Sequence, residues 1–205
     1  GRHCMKLYLN KTSPYARLVM IVAHEKALDR GIECVWTDPW ASPAELLAVN
    51  PCAKVPALVT DGGETLTESG CICDYLDDIG DGRRLMPRAM PARLPALRKY
   101  GLGRGLIDTA FGVTIQRRFA AADTRPVLAE RWLVAVSRVL DALQRETALA
   151  HDAQAPDLGD LALAVGLDYV GFRLPEAGWR MRAPRLVPWF ERIAMRPAFG
   201  LTAPG

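Results

Sequence analysis

The sequence predicts an α/β domain followed by an all-helical domain, and three observations support this prediction. Over about eighty residues, short β-prone runs alternate with runs of helical periodicity in the order β-α-β-α-β-β-α. An Asp61-Gly62-Gly63 turn joins the last two β-prone runs into a hairpin. Beyond Pro91 the strand signals end and helical patterns continue.

The first domain is predicted over residues 5–80, and we expect Met5 to be the initiator. Ser13 followed by Pro14 is typical of a helix start, because serine caps the first turn and proline suits the first helical position. A β-α-β crossover predicts parallel pairing of the first two strands, and the hairpin predicts antiparallel pairing of the others. The predicted strands are Lys6–Leu9, Ile32–Trp36, Ala57–Thr60 and Glu64–Thr67, and the predicted helices are Ala16–Leu28, Ser42–Val49 with a capping box at Ser42, and Ser69–Ile79.

The second domain is predicted over residues 91–205, after a turn-rich, polar linker at 81–90. The sequence Asp157-Leu158-Gly159-Asp160 begins an almost wholly apolar run, which predicts a capped helix that is buried on all sides. Glycines in the first long helix predict close helix packing or a kink. The predicted helices are Leu94–Phe119, Pro126–Leu149, Leu161–Gly171 and Pro184–Met195.

The composition argues against several classes of protein. No apolar run approaches the roughly 18 residues of a membrane span, so we expect a soluble protein. The 26 basic and 23 acidic residues nearly balance, and the basic residues lack interleaved aromatics, so no nucleic acid partner is expected. The five cysteines form no C-x-x-C pair and no metal-binding spacing with the three histidines, so no metal is expected. An odd cysteine count without a secretory signal favours the cytoplasm.

Residues 50–71 contain the most specific motif of the chain. The run Lys54-Val55-Pro56-Ala57-Leu58 precedes the hairpin, and Glu68-Ser69 follows it at a helix start. This pattern resembles the glutathione-binding half of the cytosolic glutathione S-transferases, and the chain from Met5 onward is similar to bacterial-type members. The resemblance implies a thioredoxin-like first domain, glutathione as co-substrate, a mostly apolar pocket for a small electrophile in the helical domain, and a homodimer.

The resemblance also implies a set of glutathione-binding residues. Val55, before a cis bond to Pro56, would pair its backbone with the cysteinyl part of glutathione. Glu68 and Ser69 would hold the γ-glutamyl end, and Lys54 would reach the glycyl carboxylate. Each residue has an ordinary alternative role: a trans proline at a strand entry, a solvated lysine, or a helix cap at Ser69 with Glu68 as a favourable first-turn acid.

Ser13 is the residue predicted to activate the thiol. Ser13-Pro14-Tyr15-Ala16 stands where glutaredoxin-like proteins carry Cys-Pro-Tyr-Cys, so the reactive sulfur must come from a ligand. A hydroxyl at a helix start can donate a hydrogen bond to a thiolate, and the helix end adds positive potential. The alternative is that Ser13 is only a helix cap. Thr12 is the second candidate for the hydroxyl that contacts sulfur.

The predicted function is a glutathione S-transferase-like enzyme that activates the glutathione thiol for attack on an electrophile, as in detoxification. Two alternatives remain open. One is a glutathione-dependent isomerase or reductase, in which the thiolate adds and later leaves. The other is a non-enzymatic glutathione-binding or regulatory module of the same fold.

Overall fold

The computed structural model describes residues 4–120, 122, 126–146 and 155–204. The chain forms two compact units, Gly1–Leu85 with Pro197–Gly205, and Met86–Arg196. The sequence assigns all of residues 91–205 to the helical domain, whereas in the structure the segment after Arg196 groups with the first unit.

The first unit contains a four-stranded mixed sheet in the order β2-β1-β3-β4. β1 runs parallel to β2 and antiparallel to β3, and β3 runs antiparallel to β4, as the crossover and the hairpin predict. Alternate residues of β1 are buried, as expected for a strand that packs one face on a core. The strands are β1 (Met5–Leu9), β2 (Ile32–Trp36), β3 (Ala57–Val59) and β4 (Thr65–Thr67).

Helices α1 (Pro14–Glu25), α2 (Ala44–Val49) and α3 (Ser69–Ile79) complete the α/β part of this unit, and α1 packs against α3. Short 3₁₀ helices cover Asp29–Gly31 and Pro39–Ala41. The core consists of fully buried aliphatic side chains from the sheet and both packed helices, among them Leu7, Leu9, Leu18, Ile21, Leu58, Ile72 and Leu76.

Two predicted helix ends and one alternative cap in the first unit are wrong. α1 ends at Glu25 instead of Leu28, because Ala27 has a positive φ of 55°, which a right-handed helix does not accommodate. Ser42 also has a left-handed backbone, with φ 47°, and the helix it was predicted to cap begins after Pro43. The predicted bounds of α3, Ser69–Ile79, are confirmed, but its N-cap is Glu68, whereas the alternative role considered for Ser69 made that serine the cap.

A buried ion pair lies at the end of α1. Lys26 Nζ is 3.3 Å from Asp77 Oδ1, and both side chains are almost fully buried. The same ammonium donates to the Arg83 carbonyl at 3.0 Å, and Asp77 Oδ1 accepts from the Leu85 N–H at 2.7 Å. The pair therefore ties residues 83–85 to α1 and α3.

All the regular structure described in the second unit is helical. Its α-helices are α4 (Met90–Phe119), α5 (Val127–Arg145), α6 (Leu158–Arg173), α7 (Trp179–Arg182) and α8 (Val187–Ala194), with 3₁₀ helices at Pro175–Ala177 and Pro184–Leu186. The predicted end of the second helix, Leu149, lies outside the described residues, and α5 ends at Arg145. The helix Pro197–Leu201, here α9, belongs to the first unit.

α6 is the centre of the second unit and is buried on all sides, as its apolar sequence predicts. Gly103 of α4 lies against its backbone: a Cβ at Gly103 would come within 2.5 Å of the Ala162 carbonyl carbon. This contact confirms the predicted close packing of helices at one of the α4 glycines. The predicted fold class, a thioredoxin-like α/β domain followed by a helical region, is confirmed.

The start of α6 carries the predicted capping box. Asp157 Oδ1 accepts from the Asp160 N–H at 2.9 Å, and Asp160 Oδ2 accepts from the Asp157 N–H at 3.0 Å. Lys99 of α4, which the sequence did not single out, places its Nζ 2.7 Å from a carboxylate oxygen of each aspartate.

No helix in the described residues combines the length and the hydropathy of a membrane span.

Candidate functional site

The register of the sheet brings three loops to one end of it. Ala57, the first residue of β3, pairs with Tyr8 near the end of β1 and with Thr67 at the end of β4. Because β3 is antiparallel to both neighbours, its start lies beside their ends. The loops that follow β1 and β4, and the loop that precedes β3, therefore lie close together, and they carry all the predicted site residues.

Asn10 organises the loop after β1. Its Oδ1 accepts from the backbone N–H of Thr12 and from the Thr12 hydroxyl, each at 3.0 Å. Its Nδ2 donates to the Thr37 carbonyl at 3.4 Å, and its own carbonyl accepts from the Ser13 N–H at 3.3 Å. One side chain thus fixes the backbone conformation that leads into α1.

Ser13 is the N-cap of α1, and its Oγ accepts from the Ala16 N–H at 3.2 Å. The cap role, raised as the alternative for Ser13, is therefore present in the structure. It does not use the hydroxyl proton, since a serine hydroxyl both accepts and donates. Within the described part of the chain that proton has no acceptor, whereas the Thr12 proton is donated to Asn10.

Asn50 plays a similar part in the loop before β3. It is 4% exposed, its Nδ2 donates to the Lys54 carbonyl at 2.8 Å, and its Oδ1 accepts from the Cys52 N–H at 3.0 Å. The Val55–Pro56 bond that follows is cis, as the resemblance implies. No hydrogen bond joins the backbone of Val55 to any residue that the structure describes, so its N–H and C=O are available to a ligand.

Glu68 and Ser69 lie at the start of α3. Glu68 Oε2 accepts from the N–H groups of Gly70 and Cys71 at 2.8 and 3.3 Å, and Oε1 accepts from the Ser69 hydroxyl at 3.2 Å. Glu68 holds a positive φ of 72°, a costly backbone conformation for a residue with a Cβ, while its side chain is exposed. The geometry presents an anionic carboxylate beside the helix end.

Lys54 is exposed, and its ammonium group forms no hydrogen bond or ion pair with any described residue. The described residues contain no cluster of histidine, cysteine and acidic side chains suited to a metal ion, and His3 and His151 lie outside them.

Sequence reasoning missed the two asparagines that shape this site. Both Asn10 and Asn50 stand two residues before a backbone N–H that they bind, which is the pattern of an Asx turn. That pattern was available in the sequence. The second bond of each amide, to Thr37 and Lys54, depends on the folded chain.

The chain is similar to known proteins over most of its length. Residues 12–79 match the family model for the glutathione S-transferase N-terminal domain. The chain is 31% identical over 209 residues to glutathione S-transferase 3 of Zea mays, covering 97% of this chain and 92% of that protein. The chain therefore belongs to the glutathione S-transferase family.

Bacterial relatives resemble it over nearly the full length. An uncharacterized GST-like protein of Escherichia coli (strain K12) is 29% identical over 204 residues, covering 98% of both chains. The crystal structure of a glutathione transferase family member from Pseudomonas fluorescens Pf-5, solved with bound glutathione, superposes with a TM-score of 0.91 at 32% identity, covering 98% of this chain and 99% of that one. The protein is a bacterial-type member of the superfamily.

Proposed function

We propose that this protein is a glutathione transferase in which Ser13 activates the glutathione thiol for attack on a small electrophile. The observation that carries this proposal is the sheet register at Ala57, which groups the Ser13 loop with the Val55 loop and with Glu68. One ligand of tripeptide size would contact all three. The glutathione bound to the Pseudomonas fluorescens relative supports this choice of ligand.

The binding half uses groups that the fold leaves available. The N–H and C=O of Val55 suit an extended peptide backbone, which would add to the sheet end in antiparallel fashion. The carboxylate of Glu68 caps α3 by accepting from the N–H groups of Gly70 and Cys71, and Glu68 is exposed. Its negative charge would therefore also attract the γ-glutamyl ammonium, while Lys54 would pair with the glycyl carboxylate.

The catalytic half requires a lowered thiol pKa. Lowering it by about two units needs roughly 2.7 kcal/mol. The end of α1 supplies about 0.3 to 1 kcal/mol, and a hydrogen bond to the charged sulfur supplies roughly 1.5 to 3 kcal/mol. The two contributions sum to roughly 1.8 to 4 kcal/mol, a range that includes the value required. Ser13 can donate to the sulfur because it caps the helix through its oxygen and keeps its proton.

The test compares Ser13→Ala with Thr12→Val in the conjugation of glutathione to a chlorodinitrobenzene. We expect Ser13→Ala to lower kcat/KM by more than about tenfold, the loss of at least 1.4 kcal/mol of transition-state stabilisation. Thr12→Val should retain activity, because the Thr12 hydroxyl is bound to Asn10. The opposite pattern would assign the thiol contact to Thr12.

The same assay separates the other functions of this fold. Turnover of hydroperoxides or enediones without turnover of haloarenes would favour a glutathione-dependent reductase or isomerase. For a binding module, turnover would be absent although glutathione stabilises the protein, by about 2.7 kcal/mol at a hundred times its dissociation constant.

We also propose that the protein forms a homodimer in the cytoplasm. α4 carries Met90, Leu94 and Leu97 at helical spacing on one face, and these side chains are 58%, 63% and 39% exposed. An apolar stripe of this kind is suited to a second copy of the chain. Light scattering on the wild type and on Leu94→Glu tests the dimer, and a monomeric wild type would contradict it.

The cytoplasmic location is proposed because all five cysteines are free thiols, which fits a reducing compartment.

A further inference from the structure

Arg17 of α1 is buried against α9 and the residue that follows it, within the first unit. Its side chain is 8% exposed. The Nη2 donates to the Phe199 carbonyl at 3.2 Å, and the guanidinium carbon lies 4.3 Å from the centre of the Phe199 ring. The Nε donates to the Thr202 hydroxyl at 3.4 Å, and that hydroxyl donates to the Ala198 carbonyl at 2.9 Å.

The backbone of Arg17 is bound directly to Ser13. The Arg17 N–H donates to the Ser13 carbonyl at 3.0 Å, which closes the first turn of α1. Ser13 Oγ accepts from Ala16 in that same turn. Arg17, which binds α9, and Ser13, whose hydroxyl proton is available, therefore lie at the two ends of one helical turn.

We propose that α9 and Thr202 hold the first turn of α1 through Arg17, and that Arg17 is a positioning residue for the Ser13 hydroxyl. This inference rests on the proposed role of Ser13 in thiol activation. A helix end is the part of a helix most prone to fray, and a hydrogen bond to sulfur weakens steeply as its angle departs from linear. A shift of about 1 Å at a reacting group costs as much as a hundredfold in rate.

The geometry requires an arginine at this position. The rigid planar fork donates in two directions while its face stacks on an aromatic ring, whereas a lysine ammonium can donate hydrogen bonds but has no planar face to stack. We therefore expect the substitutions at Arg17 and Thr202 to differ in the size of their effect. Arg17→Met loses every polar contact of the side chain, and Arg17→Lys keeps the charge but not the planar fork. Thr202→Val removes the hydroxyl partner of Nε, together with the bond of that hydroxyl to the Ala198 carbonyl.

The experiment measures the pKa of the enzyme-bound glutathione thiol, from the ultraviolet absorbance of the thiolate, together with kcat, KM and the dissociation constant of glutathione. We expect Arg17→Met to raise that thiol pKa by about one unit, which lowers kcat/KM about tenfold at a pH below both values. Affinity for glutathione should change less than about threefold, since Val55 and Glu68 are untouched. Thr202→Val should shift the same quantities in the same direction by less.

A matched control accounts for loss of stability. Thr60 is 8% exposed, like Arg17, and its hydroxyl is bound to Glu64 at the end of β3 away from Ala57. Thr60→Val should destabilise the first unit without moving the thiol pKa. An equal shift in Thr60→Val and Arg17→Met would show a general effect of stability and overturn the proposal. If Arg17→Met does not fold, an unchanged thiol pKa in folded Thr202→Val overturns it.

Two further variants separate this inference from the proposed function. If Ser13→Ala leaves the thiol pKa at the wild-type value, the role of Ser13 fails and the inference fails with it. If Ser13→Ala raises the pKa and Arg17→Met does not, only the positioning role is overturned. In the double variant, Arg17→Met should add little to Ser13→Ala, because Arg17 acts through Ser13. Full additivity would show that the Arg17 charge acts independently, which contradicts the proposal.

Discussion

The hydroxyl of Thr12 donates its proton to Asn10 Oδ1 at 3.0 Å. Two adjacent hydroxyls, at Thr12 and Ser13, lie in the loop that the site uses, and this bond engages one of them. Asn10 therefore does more than shape a turn. It leaves the Ser13 proton as the available one of the two, which supports the proposed role of Ser13, and it binds the backbone N–H of both residues.

We predict that Asn10→Ala lowers kcat/KM for conjugation by about tenfold, an effect of roughly 1.4 kcal/mol, while the dissociation constant of glutathione changes little. The loss should follow from a loosened loop ahead of α1, since the bonds to Thr12 and Thr37 disappear together. Steady-state kinetics and calorimetric binding give the two quantities. A variant that binds glutathione poorly but turns over normally at saturation would refute the assignment.

Asn50→Ala should weaken glutathione binding more than it affects the bound thiol, the reverse of the effect predicted for Asn10→Ala. Asn50 holds the loop that carries Val55, and its buried amide binds both Cys52 and Lys54. We expect the dissociation constant of glutathione to rise about tenfold, which corresponds to 1.4 kcal/mol, with little change in the pKa of the bound thiol. Stability should fall by about 1 to 3 kcal/mol, because two partly buried hydrogen bonds to the backbone are lost. The same kinetic signature as Asn10→Ala would show that the two loops do not have separate roles.

Glu68→Gln separates capping from ligand binding. The amide oxygen of glutamine can still accept from the N–H groups at the start of α3, so stability should change by less than about 1 kcal/mol. The lost negative charge should weaken glutathione binding about tenfold, or 1.4 kcal/mol, because the γ-glutamyl ammonium loses its counter-ion.

Asp74→Asn is the matched control for Glu68→Gln, since Asp74 is an exposed carboxylate on the same helix. N-acetylated glutathione, which lacks the ammonium, should bind the wild type and Glu68→Gln with similar affinity. If Glu68→Gln weakens both ligands equally, Glu68 supports the loop and does not contact the ammonium.

The sequence predicted what local chemistry determines. The hairpin turn, the helix start at Ser13-Pro14 and the capping box at Asp157 each depend on a few adjacent residues, and each is present. The burial of α6 followed from its own composition.

The remaining features depend on residues far apart in the chain. Arg17 binds the backbone of Phe199, and Lys26 pairs with Asp77, so no local pattern marks either contact. Charged side chains in and beside helices are mostly exposed, yet the fold buries both Arg17 and Lys26. Glu68 caps α3 in place of Ser69 for a similar reason. Its capping position depends on the positive φ that the β4–α3 connection imposes on Glu68.

The capping box of α6 makes stability depend on pH. Burial, reinforced by the nearby Asp157 carboxylate, raises the pKa of Asp160 from its ordinary value of 3.8 to about 6, although Lys99 opposes the shift. The folded state therefore binds this proton more tightly than the unfolded state between pH 4 and 6. The contribution of Asp160 to the free energy of unfolding falls as the pH rises through that window, and its penalty is complete above pH 6.

We predict that the wild type gains about 1 to 2 kcal/mol relative to Asp160→Asn when the pH falls from about 7 to about 4.5. Asparagine cannot ionise, but its amide oxygen can still accept from the Asp157 N–H. Urea unfolding at a series of pH values measures the difference. Asp141→Asn is the control: its hydrogen bond to Arg182 lowers the pKa of Asp141, so its contribution is lost only below pH 3.8 and the difference should stay flat over the same range. A wild-type gain that grows with rising pH would show that pairing with Lys99 outweighs burial at Asp160.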